Sequence, residues 1–250
     1  MTRLIGAEVL KLRTTQVWFW LLLGAVAVSA LFVIGPLAGN DIHNSGDVAD
    51  MFSNAGIAYT LTFVLGVLGV TTEFRYQTIT PTLLATPSRW AVVTAKMITY
   101  AIAGILYAAV CVVVELLIAV PWLSAKGVDY SLGSDHVPQA IVSVFVTLAL
   151  FGIIGLGVGA LLKNQVVAVT VGVIFLVVLQ NILVAIPGVK HVYPYLPGGA
   201  AAAIATVPGT DRTVNGVELL SGTAGVIVLV LWAIVPAVIG AAFTLNRDIT

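Results

Sequence analysis

Charge is scarce in this chain. Asp, Glu, Lys and Arg make up 9% of its 250 residues, against 60% hydrophobic residues, and mean hydropathy is +1.09. A soluble domain carries roughly a quarter charged residues, so a globule covered by water on all sides is excluded. Lipid must be the solvent for much of the surface. The 11 basic residues balance the 11 acidic ones, leaving no global field that would gather nucleic acid. One cysteine, Cys111, sits in an apolar stretch. It has no internal disulfide partner and reads as a small packing residue. No G-x-x-x-x-G-K-[ST] is present to cradle nucleotide phosphates. No H-E-x-x-H occurs, and His43, His136 and His191 all lie between the apolar runs rather than within them. Metalloprotease and serine-hydrolase chemistry therefore lack their parts. No series of charges inside the apolar runs suggests a proton relay or ion path. No catalytic, cofactor-binding or metal-ligating residue is assigned, and no linker or low-complexity tract divides residues 1–250 into more than one domain.

What is present is a succession of apolar runs. About 20 apolar residues carry a helix across the hydrocarbon core, and six stretches qualify: 17–38, 51–70, 97–120, 139–162, 166–186 and 223–245. The first is too long for a signal-peptide core, and no clear cleavage site follows it. Pro187-Gly188 stops the fifth, and Pro236 lies inside the sixth, where membrane helices tolerate proline. The expected fold is an all-α membrane protein of six transmembrane helices.

Orientation follows from the basic residues. Arg3, Lys11, Arg13, Arg75, Arg89, Lys96, Lys163 and Arg247 fall on one side of this arrangement; Lys126, Lys190 and Arg212 fall on the other. The second side also carries Asp41, Asp47, Asp50, Asp129, Asp135, Asp211 and Glu218. An even number of crossings puts both termini on the positive, cytoplasmic side of the cell's inner (plasma) membrane.

Three segments outside the spans have structure of their own. In the first sixteen residues Ile5, Val9 and Leu12 recur at helical spacing, with Arg3, Lys11 and Arg13 elsewhere and Glu8 placed to pair with Lys11 at i+3. This is a basic amphipathic helix for the membrane surface, acting as a topology anchor or also touching a cytoplasmic partner. Between the second and third runs, Thr80-Pro81 is an N-cap followed by an N1 proline. It starts a short helix Thr80, Pro81, Thr82, Leu83, Leu84, Ala85, Thr86, flanked by the loop charges Glu73, Arg75 and Arg89. Two adjacent leucines on so short a segment need something to bury against. After the fifth run the chain is uncharged from Val192 to Thr210. That is too short to span, and fits a re-entrant or interfacial helix before span six, with Tyr193 and Tyr195 at headgroup level.

Within the spans, Glu115 is the one deeply placed charge, and Gln180 and Asn181 fall at a similar depth. Three readings stand: a polar clasp between spans three and five, a role in a substrate path or gate, or a protonated side chain facing lipid. Span four carries Gly152, Gly155 and Gly159, the last two in G-x-x-x-G spacing. Such residues let helices approach closely, inside one subunit or between two.

Taken in order, the charged start Gly6-Ala7-Glu8-Val9-Leu10-Lys11-Leu12-Arg13-Thr14-Thr15, the stretch Glu73-Phe74-Arg75 with Thr78 to Pro87, and the closing Asn246-Arg247-Asp248 resemble the permease subunits of ABC-2 type transporters. The resemblance covers most of the chain. It implies a dimer of permeases, the second being an identical or a different chain, with separate ABC ATPase subunits that hold ATP and Mg. This chain would bind no cofactor itself. It further implies that Thr80 to Thr86 docks into the ATPase as a coupling helix, that Thr2 to Thr14 lies nearby, and that Val192 to Ala205 is re-entrant near the exit. Family substrates include drugs, peptides, lipids and polysaccharides, and export is the expected direction. The alternatives are a non-transporting membrane assembly or anchoring protein, and an intramembrane enzyme.

Overall fold

The computed structural model describes the chain except residues 40–41, 43–44, 54–57, 79–88, 128–136, 207–211 and 246–250. Its elements are α1 (Thr2–Thr14), α2 (Val17–Gly39), α3 (Ser45–Ser53), α4 (Tyr59–Arg75), α5 (Arg89–Lys126), α6 (Val137–Leu162), α7 (Gln165–Ala185), a 3-10 turn (Lys190–Tyr195), α8 (Pro197–Ala205), a hairpin of β1 (Thr213–Val214) and β2 (Val217–Glu218), and α9 (Gly222–Leu245). Among the described residues, five helices are long and apolar enough to cross a membrane: α2, α5, α6, α7 and α9. Among the described residues the fold is all-α apart from that hairpin, as the composition demanded.

The second expected run, 51–70, is not one helix in the described residues. Met51–Ser53 end α3, and α4 begins at Tyr59 and continues five residues past Val70 to Arg75. The extension is polar but remains helical. Thr71 and Thr72 return their hydroxyls to the carbonyls of Val67 and Leu68 at 2.8 and 2.6 Å, and Glu73 is held by lysines of other helices. With 17 residues, α4 is the shortest of the apolar rods. The third run is longer than expected, at 38 residues, because Arg89 and Lys126 lie beyond its apolar centre without breaking helical geometry.

α6 is the hub, packed against α4, α5 and α9. Its glycines explain how three helices reach it. A methyl group at Gly155 would overlap the carbonyl oxygen of Phe63 on α4, one at Gly152 would stand 2.7 Å from the Tyr100 carbonyl oxygen on α5, and one at Gly157 would stand 2.6 Å from the Ala237 nitrogen on α9. Gly159 likewise faces Val67 of α4. Lipid is as apolar as these surfaces, so close backbone contact drives the association rather than water exclusion. α6 and α7 form a tight helical hairpin. Lys163 takes a positive φ of 56°, and the Asn164 side chain caps α7 by accepting from the amides of Val166 and Val167 at 3.1 and 3.2 Å. α7 changes to π-helical winding over Ile174–Leu179 before closing as an α-helix.

At the opposite end, α8 is short and almost wholly buried, with Pro197 at its first position. The Gln180 Oε1 accepts from the Gly198 amide at 2.7 Å, satisfying one of the four orphan donors of the helix start. The Trp232 indole of α9 donates to the Tyr195 carbonyl at 3.0 Å. The hairpin turns on Asn215-Gly216, both with positive φ (49° and 69°), the pairing that two-residue hairpin turns require.

Candidate functional site

α1, α4 and α5 meet at one end of the bundle around four charged side chains. The Lys96 Nζ donates to Glu8 Oε2 at 2.6 Å and to Glu73 Oε1 at 2.7 Å. The Lys11 Nζ donates to Glu8 Oε1 at 2.8 Å and to the same Glu73 Oε1 at 2.7 Å. Glu8, Glu73 and Lys96 are each 5% exposed, while the Lys11 side chain is 44% exposed. Each helix supplies its part by simple geometry. Glu8 and Lys11 share a face of α1 at i, i+3, Glu73 is in the last turn of α4, and Lys96 is two turns into α5.

Two carboxylates and two ammonium groups balance in charge. Burying them costs several kcal/mol per ion unless contacts are short and lone pairs are filled, and three of the four carboxylate oxygens are filled here. The exception is Glu73 Oε2, which has no hydrogen-bond partner among the described residues. Burial by itself pulls the Lys11 ammonium down. Its hydrogen bonds to Glu73 and Glu8, with the field of both carboxylates, outweigh that and hold it above the ordinary 10.5.

Other basic groups gather at the same end. The Lys163 ammonium stands over the Phe74 ring at 5.6 Å. Arg75 reaches the Gln165 amide oxygen at 3.5 Å and lies over Tyr76. Arg13 is exposed. The expected coupling segment, Thr80, Pro81, Thr82, Leu83, Leu84, Ala85 and Thr86, lies outside the described residues, as does the side chain of Arg89.

The structure keeps the intramembrane polar residues apart. Glu115 is fully buried on α5, with Ser29 of α2 and Cys111 as its polar neighbours. It does not face lipid, and neither of its oxygens has a hydrogen-bond partner among the described residues. Gln180 is committed to Gly198, and the exposed Asn181 donates to its own helix at Val177, 2.8 Å away. The expected clasp between Glu115 and Gln180 or Asn181 is not made, because Glu115 faces α2 rather than α7. Similar depth along two helices did not put them on facing sides. The Gly152, Gly155 and Gly159 positions meet α4 and α5 of the same chain. Among the described residues no group of three or more His, Cys, Asp or Glu side chains is placed to hold a metal ion.

The contact that sequence reasoning missed is the clamp itself. Glu73 was read as a loop charge and Lys96 as a topology marker. Their burial next to Glu8 was signalled only by position, as isolated charges near the ends of apolar runs.

A family model described as ABC-2 family transporter protein matches residues 4–194, from α1 to the 3-10 turn, and includes all four charges of the clamp. The chain belongs to the ABC-2 transporter family. It is a multi-pass membrane protein and a transport permease of that family, not by itself a catalytic enzyme. Within this ABC-2 permease the clamp joins the amphipathic N-terminal helix to both helices that flank the segment where an ATPase contact is expected. A comparison with curated proteins found no match to this chain.

Proposed function

We propose that this ABC-2 permease is the membrane-spanning subunit of an ATP-driven exporter. It pairs with a second permease and with separate ABC ATPase subunits that hold ATP and Mg. It crosses the inner membrane six times with both termini in the cytoplasm. α1 is its surface helix, and Thr80 to Thr86 is the helix that enters the ATPase.

The observation that carries this reading is the four-charge clamp. The segment 76–88 connects α4 to α5, and Glu73 and Lys96 stand just outside its two ends. Both are tied to α1 through Glu8 and Lys11. A push on the connecting segment would therefore move α1, α4 and α5 as one body instead of fraying the helix ends. Interfaces of this kind pass rigid-body shifts on to packed spans. The same contact supports a sixth crossing. α2 leaves the α1 end and runs 23 residues away from it, yet Glu73 at the end of α4 is back beside Lys11. At 1.5 Å per residue, the 17 residues of α4 span about 25 Å, near the lower limit for a crossing.

The test is Leu83→Asp with Leu84→Asp. Two leucines left in water cost roughly 1.5–3 kcal/mol each relative to full burial, and a groove on the ATPase would remove that cost. The double variant should insert normally, lose co-purification with the ATPase, and lose substrate-stimulated ATP hydrolysis and transport together. Normal ATPase binding and transport at the native rate would sink the coupling assignment.

A further inference from the structure

Beside the clamp lies a cavity of about 120 Å³, bounded by α1, α2, α4, α5 and the start of α7. One water needs only about 10–15 Å³ of such space, so this cavity admits a small chemical group. Its wall carries two carboxylates, Glu8 and Glu73, against one ammonium, Lys11. Lys96 is not part of that wall. Trp18 and Tyr100 add aromatic rings, whose faces attract cations.

Among the described residues two valences remain open. Glu73 is nine-tenths buried and its Oε2 has no hydrogen-bond partner among the described residues. A buried acceptor in that state calls for a donor. The Lys11 ammonium has three N–H groups, two of which go to Glu8 and Glu73. It stands half exposed at the outer side of the clamp. An inner acceptor that wants N–H, with an outer cation that wants an anion, is a template for a zwitterion carrying its ammonium inward. The surroundings are those of a membrane surface. Thr15 and Trp18 line the cavity where α1 turns into α2, and the neighbouring Val17, Phe19 and Trp20 are exposed apolar residues, the composition of a headgroup-level belt.

We propose that this cavity binds the headgroup of an ethanolamine phospholipid from the adjacent leaflet, with its primary ammonium donating to Glu73 Oε2 and its phosphate meeting Lys11. The bound lipid fills the one empty oxygen of the clamp, so the lipid becomes part of the joint between α1, α4 and α5. A choline lipid has the same phosphate and the same net charge but no N–H, and it leaves Glu73 Oε2 unfilled.

Native mass spectrometry of the purified chain in detergent tests this with four lipids of one acyl composition: phosphatidylethanolamine, its N-methyl and N,N-dimethyl forms, and phosphatidylcholine. Retention should hold while one N–H remains and fall about tenfold at the choline lipid, the scale of one charge-assisted hydrogen bond. Thr15→Trp, which narrows the cavity without touching the four charges, should bring phosphatidylethanolamine down to the choline level. Equal retention across the four lipids overturns the proposal. So does unchanged ethanolamine-lipid binding by Thr15→Trp, which would put the lipid elsewhere. Soluble phosphoethanolamine is the last arm. If it displaces the lipid at comparable concentration, the ligand is a small solute and the lipid assignment is wrong.

Discussion

Within the clamp, Lys96 and Lys11 make the same pair of contacts but sit in different surroundings. Lys96 is buried, so Lys96→Met leaves two carboxylates facing one half-exposed ammonium. Removing one partner of a buried ion pair costs about 3–5 kcal/mol, and a fall of that order is expected in thermal unfolding of the detergent-solubilised protein. Lys11→Met should cost far less, about 1 kcal/mol, because its ammonium is already partly solvated and Lys96 still neutralises Glu73. Equal losses for the two variants would contradict the burial difference. The pH dependence of the Lys11 contribution has a fixed sign. Its folded value lies above the unfolded 10.5, with the two carboxylates overriding burial. The stability it adds is therefore fully present below 10.5 and is lost as pH rises through the raised folded value. The gap in melting temperature between wild type and Lys11→Met should be constant from neutral pH to about pH 10 and close above it. A gap that instead closes on acidification would point to the carboxylates as the groups that matter.

Single glycines decide how the elements fit. Gly155→Ala puts a methyl into the Phe63 carbonyl of α4, where only backbone can give way, and overpacking of that kind costs about 1–3 kcal/mol or more. Gly35 of α2 has nothing within 4 Å of the same methyl. Gly35→Ala should be neutral or gain up to about 1 kcal/mol from helix propensity alone. Melting curves of the two variants check the pair, and a destabilised Gly35→Ala would mean that the α2 surface is covered in the assembled protein. Gln180→Leu removes the acceptor for the Gly198 amide at the start of α8, and a cost of about 1–3 kcal/mol is expected for that orphaned buried donor. These elements were legible in the sequence to different degrees. Helices α2, α6, α7 and α9 match their apolar runs to within about two residues, because a bilayer-length run admits little besides a helix. α8 was foreshadowed by the uncharged stretch around Pro197. The break before α4 was not, since Asp50 and Glu73 bounded one continuous apolar segment. The Asn215-Gly216 turn carries a hairpin signal in plain form, but lay in a segment read only for its apolar stretch. Helical period could not reveal the clamp, whose partners are 62 and 88 residues apart. Nor could depth alone show that Glu115 faces α2.

For the whole molecule, the question is how the ends are placed across the membrane. Five long apolar helices alone would leave the two termini on opposite sides, whereas a crossing by α4 puts them together. The charges favour the second arrangement. If α4 did not cross, Arg75, Arg89 and Lys96 would lie across the membrane from Lys11, and the Lys11–Glu73 and Lys96–Glu8 contacts would have to pass through hydrocarbon. With α4 crossing, those residues share one side of the membrane with Lys163, the cytoplasmic side in the proposed topology, and the hairpin carrying Glu218 lies on the other. Cysteine labelling separates the two cases. Cys111 is buried, and Cys111→Ser supplies a background with no thiol. In it, Tyr76→Cys and Glu218→Cys place single thiols at exposed positions on opposite ends of the bundle. In intact cells an impermeant maleimide should label Glu218→Cys and spare Tyr76→Cys until the membrane is opened. If Tyr76→Cys reacts in intact cells and Glu218→Cys does not, the proposed topology is wrong: either α4 does not cross and Lys11 cannot meet Glu73, or the chain is inverted, and in both cases an ATPase could not reach segment 76–88.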